Sequence, residues 1–158
     1  MINGLVIVFI LEAWAMNRIL SLSTIIFVTA LVFTACSGST SEEVMEVKVD
    51  GGSYFDISPA KLNSMLEMKD FLFVNVHIPY EGEIRQTDLF IPFDKVAENI
   101  AQFPEDRDAK IVLYCRSDRM SNIAARTMVG LGYRNIWNLD GGMIEWEKQG
   151  YEIIHKSQ

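Results

Sequence analysis

Two short apolar runs most constrain how this chain can fold. Residues 71–76 and 111–114 are almost continuously apolar, without the polar alternation of a strand that has one face in water. Such runs are typical of strands buried on both faces of a parallel sheet. Parallel strands need crossover connections, which helices usually supply. The two runs therefore predict an α/β fold.

Helix signals stand between the strand-like segments. Ser58 and Pro59 form a helix N-cap followed by proline at the first helical position. The predicted elements are strands at 54–57, 71–76, 89–91, 111–114 and 134–139, and helices at 59–68, 93–103, 122–129 and 143–148. The alternating segment 44–49 is left open as a short strand. We expect one α/β domain over 54–155, with a mostly parallel central sheet flanked by helices.

The first part of the sequence has the features of an export signal. Residues 1–35 contain only two charged side chains, Glu12 and Arg18. Arg18 is followed by fifteen mostly apolar residues and, shortly after them, by Ala35 and Cys36. This pattern is typical of a secretory signal peptide cleaved before a cysteine. It resembles a bacterial lipoprotein signal, in which that cysteine receives the lipid.

This resemblance implies an exported, membrane-anchored protein. We expect a signal peptide over 1–35 and a lipid-anchored flexible linker over 36–53. Cys36 would tether the domain to a membrane of the bacterial cell envelope, facing the periplasm or the exterior. Translation is expected to begin at Met16. Residues 1–15 are also apolar, but no basic segment precedes them, as it would in a signal peptide. The alternative is an uncleaved transmembrane anchor over 19–35, slightly short for a bilayer core that needs about 20 apolar residues.

Charge and cysteine content disfavour several classes of function. The formal net charge is −7, whereas nucleic-acid binding requires a positive surface, so no nucleic-acid partner is expected. The two cysteines and two histidines lack metal-site spacing, and neither a metal nor another cofactor is expected. A Cys36–Cys115 disulfide is the alternative state of the cysteines. It is disfavoured because it would tie a Ser-rich tail to the end of a buried strand.

Cys115 combines a position and a setting that favour reactivity. It ends the apolar run 111–114 and opens a polar segment over 116–121, before a helix-like stretch. Ligands of α/β sheets bind beyond the carboxyl ends of strands, and the N–H groups at a helix start attract anions. This setting favours the thiolate, the reactive form of the side chain. An ordinary buried cysteine is the alternative, but the neighbouring arginines favour catalysis.

At this loop the sequence resembles the rhodanese family of sulfurtransferases. The resemblance covers about 54–154. It depends on CRSDRMS at 115–121, DISP at 56–59, LGY at 131–133 and NLDGGMIEW at 138–146. It implies a single α/β domain whose loop cysteine carries a persulfide without a cofactor.

The resemblance also implies a covalent mechanism of sulfur transfer. The Cys115 thiolate would attack a small anionic donor such as thiosulfate, and cyanide or a thiol acceptor would then remove the sulfur. Loop amides would cradle the anion. The implied substrate-binding residues are Arg116, Ser117, Asp118, Arg119, Met120 and Ser121. Arg116 and Arg119 would supply positive charge, and Ser121 a helix N-cap or a loop-closing hydrogen bond.

Departures from the family pattern keep a second hypothesis open. Asp118 stands where the family commonly has glycine, which puts a carboxylate near the anion site. Asn75-Val76-His77 replaces the usual Asp-x-Arg, and 82–87 replaces Gly-His-Ile-Pro-Gly-Ala. The alternative is a catalytically weak rhodanese-like module that binds a partner or carries sulfur. His77 is interpreted as structural rather than as a general base. Phosphatase-type chemistry is set aside because Ser121 stands where an arginine would be required.

Overall fold

A computed structural model describes residues 44–155, which form a six-stranded sheet and three α-helices. The strands are β1 (Val44–Val49), β2 (Gly52–Ile57), β3 (Leu72–Asn75), β4 (Leu89–Phe90), β5 (Ile111–Tyr114) and β6 (Ile136–Leu139). The helices are α1 (Pro59–Glu67), α2 (Arg119–Gly130) and α3 (Gly142–Lys148). The predicted signal peptide, the start at Met16, the lipidation site Cys36 and the transmembrane alternative at 19–35 lie outside the described residues. Within 44–155, no helix is both long and apolar enough to cross a bilayer.

The strand order is β1-β2-β6-β5-β3-β4. All neighbouring pairs are parallel except β1 and β2, which are antiparallel. The central strand β5 pairs with β3 on one side, with Asn75 opposite Tyr114, and with β6 on the other, with Leu113 opposite Asn138. This topology confirms the predicted α/β fold with a mostly parallel sheet.

Helices cover both faces of the sheet, as the continuous apolar runs predicted. Ile111 and Leu113 of β5 pack in a cluster that includes residues of α2, whereas Val112 and Tyr114 pack in a second cluster with residues of α1 and α3. All four side chains are buried. Cys115 belongs to the cluster on the α2 face. The strand that precedes the cysteine is therefore held from both sides.

The structure differs from the predicted elements at two places. Residues 44–49 form the edge strand β1, so the sheet includes residues that the predicted linker over 36–53 had covered. The predicted helix over 93–103 is wrong. Two short 3-10 turns, Phe93–Lys95 and Ile100–Gln102, stand there instead, because Asn99 leaves the helical region at φ −105° and ψ 20°. The segment still packs an apolar side chain into the core, since Val96 is buried.

Candidate active site

Cys115 directly follows β5, and only 1% of the residue is exposed. It is a free cysteine. The loop after it is fixed by the start of α3: the Met143 N–H donates to the Cys115 carbonyl at 2.9 Å, and the Ile144 N–H donates to the Arg116 carbonyl at 3.0 Å. Gly142 makes this approach possible, because a Cβ built on it would lie 2.4 Å from the Cys115 oxygen. The close approach of the loop and the helix is thus a consequence of a missing side chain.

The backbone after Cys115 presents unused donors. No N–H group of residues 116–121 donates a hydrogen bond to any other residue in the described range. These groups belong to a three-residue loop and to the first turn of α2, which begins at Arg119. Free N–H groups at such a turn favour negative charge. The arrangement can stabilise a thiolate or a persulfide anion at Cys115.

Ser121 contacts the sulfur directly. Its Oγ lies 3.4 Å from Cys115 Sγ and 3.1 Å from the Asp118 carbonyl oxygen, and its single proton can serve either acceptor. Ser121 lies inside the first turn of α2, and Asp118 occupies the N-cap position. The N-cap prediction for Ser121 is therefore wrong, and the loop-closing hydrogen bond is the role that the geometry gives it.

The Asp118 side chain is bound by two amides rather than left free in the loop. Its Oδ1 accepts from Asn138 Nδ2 at 2.6 Å, and its Oδ2 accepts from Asn122 Nδ2 at 2.5 Å. The same Asn138 nitrogen also donates to Asp56 Oδ1 at 2.7 Å. Burial, together with nearby carboxylates, raises the pKa of both Asp118 and Asp56. The backbone of Asp118 is left-handed, with φ of 79°, which explains why glycine suits this position.

Arg116 forms an ion pair with Glu81, a residue that the sequence did not single out. The Glu81 Oε2 atom that contacts Arg116 also lies 3.6 Å from His77 Nε2. His77 is 6% exposed, and neither ring nitrogen has a hydrogen-bond partner among the described residues. Arg119 is exposed, and none of the ion pairs between described residues includes it. The two loop arginines are both exposed but differ in their partners: Arg116 is paired with a carboxylate, and Arg119 is in none of these ion pairs.

The remaining predicted site residues occupy the same loop and helix start. Ser117 is exposed, and Met120 is half-buried against the cluster on the α2 face. In the described part of the chain, no group of three or more His, Cys, Asp or Glu side chains is arranged to hold a metal ion.

The family model of the rhodanese-like domain matches residues 58–149, more than half of the chain. The chain belongs to the rhodanese-like domain family. Membership of this family supports sulfur transfer as the general class of chemistry. The match covers α1 and all elements from there to α3, and so includes the Cys115 loop.

Relatives of this rhodanese-like domain occur inside longer proteins. The tRNA uridine(34) hydroxylases of Citrobacter koseri and Erwinia tasmaniensis are each 31% identical to it over 109 residues, which is 65% of this chain and 31% of theirs. The chain therefore spans about a third of the length of these curated relatives.

Solved structures agree with the fold. A rhodanese-related protein from Thermoplasma volcanium aligns with a TM-score of 0.55 at 25% identity, covering 64% of this chain and 98% of that one. A rhodanese-like domain protein from Staphylococcus aureus aligns with a TM-score of 0.52 at 26% identity, covering 65% and 98%. The thiosulfate sulfurtransferase of Pseudomonas aeruginosa aligns at 0.56 with 20% identity, covering 64% and 20%. The last of these shows the fold alone.

Sequence reasoning missed the partners of the rhodanese-like loop. Glu81 stands 35 positions before Arg116, and Asn138 stands 20 positions after Asp118. Both contacts join segments that are distant along the chain, and no local pattern marks them. Asn138 lies within the segment that resembles the family, but nothing in that segment assigned it a contact. Only the register of β6 beside β5 brings it to the loop.

Proposed function

We propose that the protein is a sulfurtransferase that moves a sulfane sulfur from a small anionic donor, such as thiosulfate, to a thiophilic acceptor through a persulfide on Cys115. The observation that carries this proposal is the set of unused backbone N–H groups at 116–121, together with the Ser121 hydroxyl 3.4 Å from the sulfur. These donors stabilise negative charge on sulfur, which both the thiolate and the persulfide carry.

Each half-reaction balances without a cofactor. The Cys115 thiolate attacks the outer sulfur of thiosulfate, a new S–S bond forms, and the bond to the sulfonate sulfur breaks. Sulfite leaves with that electron pair, and Cys115 becomes a persulfide anion. Cyanide or a thiolate acceptor then attacks the outer sulfur, taking it as thiocyanate or as a new persulfide and regenerating the thiolate. No proton or electron from outside is needed in either step.

Hydroxylation of tRNA, the activity named for the relatives, is not proposed for this chain. The chain corresponds to 31% of the length of those proteins. Its formal net charge of −7 opposes binding to a phosphate backbone. The Cys115 loop, which sulfur transfer uses, lies within the family match.

Mass spectrometry of the loop cysteine tests the proposal. The full-length chain is incubated with thiosulfate and its intact mass is measured, in parallel with Cys115→Ala. We expect a gain of one sulfur atom that is absent from the variant, and thiocyanate release when cyanide is added. The absence of any sulfur adduct on the unchanged protein would refute thiosulfate transfer and leave either another sulfur donor or the weakly catalytic rhodanese-like module.

We also propose that the domain is tethered to the cell envelope through lipidated Cys36. The support is the sequence pattern around Cys36, which lies outside the described residues. We expect Cys36→Ala to release the protein from the membrane fraction and globomycin to block its processing. Unchanged membrane association of Cys36→Ala, together with processing that globomycin does not affect, would indicate an uncleaved anchor instead.

A further inference from the structure

We infer that Glu81 sets the charge preference of the site, by holding Arg116 and disfavouring strongly anionic sulfur donors. This arrangement weakens the binding of the thiosulfate dianion relative to donors that carry less negative charge, such as alkyl persulfides, but it does not exclude thiosulfate. The inference rests on the proposed sulfur transfer at Cys115, and it adds the class of donor.

Glu81 is held at the active-site edge of the sheet. The segment that contains it leaves β3 beside β5, where the Val76 N–H donates to the Tyr114 carbonyl at 2.9 Å. The residue after Glu81 is fixed as well, because buried Asn75 Nδ2 donates to the Gly82 carbonyl at 2.9 Å. Glu81 is therefore positioned by an anchored backbone.

Asn75 fixes both sides of the Glu81 segment. In addition to its bond to Gly82, its Oδ1 accepts from the His77 N–H at 3.0 Å. His77 places a buried imidazole 3.6 Å from the Glu81 carboxylate. The carboxylate thus lies between this imidazole and the Arg116 guanidinium, and it contacts both through one oxygen atom.

The ion pair lowers the positive charge next to the nucleophile. Arg116 immediately follows Cys115 in the chain, and its guanidinium is half exposed, so solvent and a dissolved donor can reach it. An anionic donor must displace Glu81 from Arg116 or bind without that arginine, and it is repelled by the carboxylate in either case. An uncharged donor meets no such cost. Arg119 remains as the positive group open to solvent.

Paired thiol reagents measure this preference directly. Methyl methanethiosulfonate is neutral, and its sulfonatoethyl analogue is anionic. Both transfer an alkylthio group to the cysteine thiolate, which forms a disulfide and releases methanesulfinate. The rate of each is measured on the full-length chain at low salt, by quantifying the modified tryptic peptide that contains Cys115. We take the ratio of the rate with the anionic reagent to the rate with the neutral reagent. This ratio reports the local charge, because a change in the intrinsic reactivity of the thiol affects both rates equally.

We expect Glu81→Gln to raise this ratio about two- to fivefold, the range supported by an exposed ion pair, and Arg116→Gln to lower it. Asp108→Asn is the matched control. It also removes one negative charge from an exposed ion pair with an arginine, Arg134, but it precedes β5 and so lies at the opposite end of the strand from Cys115. Its ratio should equal that of the unchanged protein. A further expectation is that Glu81→Gln lowers the KM for thiosulfate by a similar factor, and that it lowers the KM for an alkyl persulfide, which carries a single negative charge, by less.

Equal ratios for Glu81→Gln and Asp108→Asn would overturn the inference, as would a Cys115 that neither reagent modifies in any variant. The outcome is separable from that of the proposed function. If the ratio shifts but thiosulfate never loads Cys115, thiosulfate transfer fails and the charge preference stands. If thiosulfate loads and the ratio does not shift, only the role of Glu81 fails.

Discussion

Replacing Gly142 by alanine should damage the domain at the contact between α3 and the Cys115 loop. Gly142 has a φ of +59°, a left-handed conformation that side chains disfavour. A Cβ at this position would lie 2.4 Å from the Cys115 carbonyl oxygen and 2.8 Å from the Arg116 carbonyl carbon. Both are backbone atoms, so no flexible side chain can move aside.

The cost has two parts. The left-handed conformation of alanine costs about 1–2 kcal/mol. Relieving the collision requires α3 and the loop to separate, which strains the hydrogen bonds from Met143 and Ile144, and overpacking of this kind costs about 1–3 kcal/mol. The sum is about 2–5 kcal/mol. A loss of 1 kcal/mol lowers the Tm of a domain of this size by about 4–8 °C, so we expect Gly142→Ala to lower it by at least about 8 °C.

Gly132→Ala measures the first part of this cost alone, so the difference between the two variants isolates the second part. Gly132 has a φ of +89°, but a Cβ there would meet no atom within 4 Å. Thermal denaturation should therefore show a loss of only about 1–2 kcal/mol for Gly132→Ala, with the rate of Cys115 alkylation unchanged. Gly142→Ala should lose more and should alter that rate, because the loop moves. If the two variants lose equal stability, the close approach of α3 is not a constraint and the reasoning is refuted.

Two further predictions concern the side chains around the loop. Ser121→Ala removes the hydroxyl 3.4 Å from Cys115 Sγ and should slow persulfide formation about fivefold, because the lost hydrogen bond is worth about 1 kcal/mol. Thr127→Ala deletes an exposed hydroxyl on the same helix and should not slow it. Equal rates for the two variants would contradict the role of Ser121. Burial, with Asp118 nearby, raises the pKa of Asp56, so this carboxyl destabilises the native state as the pH rises from about 4 through the raised pKa. We therefore compare the free energy of unfolding of Asp56→Asn with that of the unchanged protein at two pH values. The difference should favour the variant more at pH 7 than at pH 4. An equal difference at both pH values would contradict this.

The sequence predicted the elements whose burial leaves a local signal. β3 and β5 are buried on both faces, and this is why their residues form apolar runs that a reader can recognise. The position of Cys115 followed from the end of such a run and from the polar segment after it. α1 was predicted from Ser58, whose Oγ accepts from the Lys61 N–H at 3.2 Å. In each of these cases the physical cause and the signal lie within a few residues.

Features that depend on backbone angles or distant contacts were not predictable in this way. The apolar spacing of 93–103 indicated a helix, but the two short turns satisfy the same burial without continuous hydrogen bonding. Asp118 was expected to place its charge near the anion site. The sequence did not reveal that its backbone is left-handed or that its two carboxylate oxygens accept hydrogen bonds from the amides of Asn122 and Asn138. The amide of Asn138 is provided by a strand that is distant along the chain.

The departures at 75–77 act together with the loop that follows them. An aspartate at position 75, the usual family residue, could accept the His77 N–H but could not donate to the Gly82 carbonyl, because an ionised carboxylate has no proton to give. Asn75 does both and so fixes the segment that carries Glu81 to Arg116. Changes that look independent in the sequence therefore have one structural result: a carboxylate is held on the arginine beside the nucleophile. Asn75 therefore supports the pairing of Glu81 with Arg116 by fixing Gly82, and Asn75→Asp should weaken this pairing by releasing Gly82.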